Sequence, residues 1–158
     1  MVGHTCGQVT AKRVLHPFRL EFYDDPQTGA EPVREWMLNE LTPYQRRALG
    51  VALFQVLQRH GVDVCNGEYG KQLGQGLFEF RLRHDADEII AIHTDQAPEG
   101  VVGEGRILLR IFCHSFGDRI ILLLGGYDKA ASPSARRQTK EVELARKRLR
   151  EFRARPSI

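Results

Sequence analysis

The apolar positions of this chain repeat with two different periods, and the period predicts the element. Val14 to Tyr23, VLHPFRLEFY, alternates with a period near two and predicts a strand. Pro17 has no backbone N–H, so that strand belongs at a sheet edge or beside a bulge. Asp24 to Gly29, DDPQTG, predicts a turn. The period then becomes helical. Pro32 suits a first helical position, and a helix from there passes Trp36 and Leu38 towards Leu41. Thr42-Pro43 predicts a restart, with Thr42 as cap and Pro43 in the first turn. Leu49, Leu53, Val56 and Leu57 continue a helical stripe, and Gly61 after His60 is its C-terminal stop. These helices form a hairpin whose apolar stripes cover a sheet, and Trp36 belongs to that core.

Gly70 to Gly76 is glycine-rich but fits no phosphate-cradling pattern, so it is read as a connection. Leu77 to Arg83 predicts a strand with Phe78, Phe80 and Leu82 on one side and Glu79, Arg81 and Arg83 on the other. Ala86 to Gly105 is a polar, acidic insert too long for a hairpin turn. Arg106 to Phe112 and Arg119 to Leu124 are the next strands. Cys113 to Asp118 separates them, and Gly117-Asp118 is their turn. Arg106 and Arg110 lie four apart on one strand and share a face. Ser132-Pro133 opens a last helix with an apolar stripe of Val142, Ala145, Leu149 and Phe152. Leu144 sits off that stripe. Strand, two helices, several strands and a helix make an α+β fold with a mostly antiparallel sheet.

Composition narrows the classes. The chain has 158 residues, 42% of them hydrophobic and 27% charged, enough for one well-cored domain. That domain is expected over residues 13–155, with 1–12 disordered. The longest apolar run, Ile120 to Leu124, is strand-sized, and MVGHTCGQVTAKRV lacks a signal-peptide core; a cytoplasmic protein without membrane partners is expected. Cys6, Cys65 and Cys113 form no metal-binding or disulfide spacing, and the histidines form none either, so no metal or cofactor is expected. Asp128 to Ile158 carries ten Lys/Arg against four Asp/Glu, a net of +6, leaving −3 on the first 127 residues. Such an end suits a nucleic acid or an acidic protein, and equally a solvated helix face.

Three segments in order, KQLGQGLFEFR, RILLRIF and IILLLGGYDK, followed by the basic helix, resemble the phage-derived HigB-like branch of the RelE/ParE superfamily. The resemblance covers Val14 to about Phe152 and is sharpest from Lys71 to Lys129. It implies a microbial-ribonuclease-like fold and the toxin of a type II toxin–antitoxin system. It also implies an endoribonuclease that cuts mRNA, usually on the ribosome, by attack of the 2′-OH on the adjacent phosphate, without a cofactor. The implied partners are mRNA, the ribosome and an antitoxin, a helix-turn-helix protein encoded beside it.

The resemblance places the chemistry on Arg81, Arg106, Arg110 and Lys129, with Lys71 matching a recurrent Lys before the first core strand. Arginine fits because it offers planar, permanently charged donors to phosphate oxygens. Arg83, Arg136, Arg137 and Lys140 join Lys71 as expected RNA contacts. The reaction also needs proton-transfer groups. The last helix contains no Tyr or His, so Tyr127, Asp128, His84, Glu79 and His114 are the substitutes, with Tyr127, beside Lys129, ranked first. The alternative is a non-nucleolytic, ParE-like inhibitor of DNA gyrase, or a degenerate toxin acting as a binding module.

Overall fold

The computed structural model describes residues 16–83 and 107–156. The expected insert at 86–105, Arg106, His84, Cys6 and the segment 1–12 lie outside the described residues.

Among the described residues five strands build one mixed sheet: β1 (Arg19–Phe22), β2 (Gly70–Gly74), β3 (Leu77–Leu82), β4 (Leu109–Phe116) and β5 (Ile120–Asp128). Their spatial order is β1-β5-β4-β3-β2. Antiparallel pairing joins β2 to β3, β3 to β4 and β4 to β5, while β1 runs parallel to β5. The architecture is α+β, with helices on both faces of the sheet.

On one face lie α1 (Pro32–Asn39) and α2 (Pro43–Ala52). Thr42 and Gln45 cap α2 reciprocally: Gln45 N–H donates to Thr42 Oγ1 (3.1 Å) and Thr42 N–H donates to Gln45 Oε1 (3.0 Å). The helix runs on through a π-helical turn at Leu53–Leu57 and a last turn at Gln58–His60, then stops at Gly61. Gly61 has φ +59, and the Phe18 ring occupies the space a Cβ would need, so two constraints select glycine. Trp36, Leu49, Leu57, Phe78, Phe80, Ile111 and Leu123 fill the core between this layer and the sheet. Gly126 in β5 lets Trp36 approach closely: a Cβ there would meet Trp36 Cζ3 at 2.6 Å.

The other face carries α3 (Ala135–Arg153). Ala145 and Leu149 are buried against Leu77, Phe112, Leu122, Leu124 and Tyr127, with Val142 and Phe152 packed at the margins. Leu144, off the stripe, stays exposed.

Several boundaries differ from the sequence expectation. Of the described part of the strand expected from Val14, Arg19–Phe22 is a strand; Pro17 cannot donate, and Phe18 N–H is taken by Gln58 O from the helical layer. Gly70 to Gly74 is an edge strand, not a connection. Its glycines suit close approach, since a Cβ on Gly70 would strike the backbone at Val64 and Cys65. Strand β4 continues through Cys113 to Phe116, helped by a register shift between Phe112 and Cys113 that keeps its pairing to β5. Helix α3 starts after Ser134, whose hydroxyl accepts from Arg137 N–H, and not at Ser132-Pro133.

Candidate functional site

Sheet register builds the most unusual feature of the molecule. Arg81 of β3 lies directly opposite Arg110 of β4, and Arg110 directly opposite Tyr127 of β5. Directly paired strand residues share a face, so the three side chains form one row across the sheet. The neighbouring row on that face holds Lys71, Glu79 and Phe112, also in register. Two arginines facing each other repel, and Glu79 answers both. Its Oε2 accepts from Arg81 Nε at 2.8 Å, and its Oε1 lies 3.5 Å from Arg110 Nε.

The row is graded from buried to accessible. Glu79 is 0% exposed and Arg110 4%, whereas the Arg81 side chain keeps 21% of its surface open. Among the described residues, three buried polar atoms here have no hydrogen-bond partner: Glu79 Oε1, Arg110 Nε and the Tyr127 hydroxyl. Burial pushes the Arg110 guanidinium down from its ordinary value, against the opposing pull of Glu79. Burial also pushes the Tyr127 phenol up, and Glu79 adds to this, so Tyr127 keeps its proton at neutral pH.

Helix α3 closes one side. Arg137, in its first turn, lies over the Tyr127 ring with its guanidinium carbon 5.8 Å from the centroid. Its Nε donates to Glu141 at 2.8 Å and an Nη to Ser132 Oγ at 3.3 Å, which fixes it there.

The expected residues divide accordingly. Arg81, Arg110 and Tyr127 come together, and Arg137 joins them from the helix. Lys71 is exposed on the edge strand, in the neighbouring row, and Arg83 is half-buried just past β3. Tyr127 does not share a turn with Lys129: it is a strand residue, and the strand ends at Asp128. Lys129 follows where the chain leaves the sheet, its N–H donating to Leu108 O. Arg136 and Lys140 are exposed on α3. Two alternative proton carriers are engaged elsewhere. Asp128 accepts from Gln45 Nε2 (3.0 Å), and a His114 ring nitrogen sits 2.7 Å from Gly76 O. Glu79, which the sequence offers as one of five substitutes, is the hub. Its signal is the spacing in FEFR, where a strand carboxylate two residues before an arginine shares its face.

Cys65 and Cys113 are free thiols. Among the described residues no cluster of His, Cys, Asp or Glu could hold a metal ion, and no helix is long and apolar enough to cross a membrane. No family model, curated protein or solved structure matches this chain.

Proposed function

We propose that this chain is a toxin-type endoribonuclease that cleaves mRNA without a metal, the 2′-OH attacking the adjacent phosphate. The observation that carries the reading is the in-register row of Arg81, Arg110 and Tyr127, held by Glu79. Two guanidinium groups on one spot place positive charge where a pentavalent phosphate accumulates negative charge. Arg81, the more open of the two, contacts the phosphate, and Arg110 supports it from below. Tyr127 stays protonated, which suits a donor to the leaving 5′-oxygen and not an acceptor. Glu79 is the buried counter-charge that holds the two guanidinium groups in place. The element order of strand, helical pair, antiparallel strands and basic helix also agrees with the RelE-like fold that the sequence resemblance implies.

The test is purified protein in a translation reaction. mRNA should be cut, leaving 2′,3′-cyclic or 3′-phosphate ends, and Arg81→Ala should lower the cutting rate at least 100-fold, the scale of losing one transition-state charge donor. Intact mRNA, or undiminished cutting by Arg81→Ala, overturns the proposal.

A second reading has its own observation, the withdrawal of Glu79 and Arg110 from solvent. A triad serving only to hold the sheet fits a non-nucleolytic module of the gyrase-inhibiting kind. That protein would block DNA supercoiling and leave RNA whole.

A further inference from the structure

Apart from Arg153, the basic residues of α3 fall into two groups that the sequence does not separate. One group is spent on the fold. Arg146 donates to the carbonyls of Leu73 (2.6 Å) and Gly74 (3.1 Å), and Arg148 to that of Leu124 (2.8 Å). Arg155, just past the helix, bridges Asp24 and Glu151, while Arg137 is held over Tyr127.

The second group is Arg136, Lys140, Lys147 and Arg150. With Glu143 between them, they follow each other at offsets of four, three, four and three residues, the spacing of one helix face. That face is opposite Ala145 and Leu149, which are buried against the sheet. All four cations are exposed, and among the described residues none of their side chains makes a hydrogen bond or ion pair. At the helical rise the stripe is about 21 Å long. It therefore points away from the row of Arg81, Arg110 and Tyr127.

We propose that this outer stripe of α3 docks on the phosphate backbone of double-helical RNA, as a surface separate from the candidate cleavage site. Four cations around one carboxylate, Glu143, leave a net positive charge on a rigid rod, which matches a polyanion. A single strand is a poorer fit, because binding without sequence preference uses aromatic platforms for the bases and the stripe contains no aromatic residue. A lipid surface fits poorly too, because the apolar face that would enter it is occupied by the sheet. The choice of RNA over DNA rests on the function proposed above; the docking itself does not.

The experiment is fluorescence anisotropy of a labelled 20-base-pair RNA duplex titrated with the intact protein at several salt concentrations. Four phosphate contacts give a log–log salt slope near −4 and about a hundredfold loss of affinity between 50 and 200 mM salt. Lys140→Gln with Lys147→Gln should flatten the slope by about two, at about one per cation removed. Arg34→Gln, on α1 at the other face of the sheet, should leave affinity and slope unchanged. An unchanged slope in the double variant overturns the outer surface, and an equal loss in Arg34→Gln overturns its assignment to α3. Equal affinity for a DNA duplex of the same length overturns the assignment to RNA. The readout is binding, so failure of the ribonuclease proposal is scored independently by the absence of cut ends.

Discussion

Glu79 is the residue on which the arginine row depends. It is fully buried between two guanidinium groups, so removing it leaves like charges opposed across a strand pair. Glu79→Ala should destabilise the fold by about 3–5 kcal/mol, measured by urea denaturation, because a broken buried ion network leaves charge uncompensated. Glu79→Met combined with Arg110→Met should cost less than Glu79→Ala alone, since apolar replacement removes both the charges and their desolvation. A double variant worse than the single one would show that the pair is not coupled. The alternation in LFEFRLR already put Glu79 and Arg81 on one face. Which strand would bring the second arginine, and that Tyr127 would be buried beside it, was not legible. The first depends on the register of β3 on β4, which are separated in sequence by the 86–105 insert, and the second on the register of β4 on β5.

At the scale of elements, legibility followed locality. The Thr42 cap and the Gly61 stop were readable because their chemistry lies within a few residues. Thr42→Ala should cost about 1 kcal/mol in the same denaturation assay. Of the two edge strands, β1 was readable inside the strand expected from Val14, while β2 was not, because a short strand is defined by the partner it pairs with. β2 in particular has no apolar alternation of its own. The joint between β1 and α3 offers a pH test. Tyr23 donates to Glu151 at 2.7 Å, and burial together with Glu151 pushes its phenol up to about 12. The folded state thus holds this proton more tightly than the unfolded chain, whose phenol titrates near 10. Stability from this group is complete below pH 10 and is lost as pH rises towards 12. Tyr23→Phe should flatten that alkaline decline, and an unchanged pH profile would refute the coupling. Gly126→Ala should destabilise by about 1–3 kcal/mol through overpacking against Trp36, with fluorescence of that single tryptophan as the readout.

Across the whole molecule, the sheet is a wall between two unequal cores, one under α1 and α2 and a smaller one under α3. The charge asymmetry of the sequence maps onto this arrangement, since the excess of cations is concentrated on the last helix. A chain shortened after Lys140 would uncover Leu77, Phe112, Leu122 and Leu124 while leaving the larger core covered. It should bind a hydrophobic dye and lose its cooperative thermal transition. A sharp transition retained by the shortened chain would mean that the second core contributes little. The division into two faces was only half legible. Each stripe announced an amphipathic element, but not that α3 would lie on the face of the arginine row, with its own cations split between inside and outside.

The parallel pairing of β1 with β5 has a consequence for how the protein is made. Arg19 aligns with Ile120, so the first described strand waits for a partner about a hundred residues later. Closing such a loop costs about 4 kcal/mol of chain entropy beyond a constant, against little local reward. A nascent chain can fold its helical pair early, but it cannot close the sheet until β5 has left the ribosome. The arginine row, which needs β3, β4 and β5 together, is therefore assembled only once β5 has emerged.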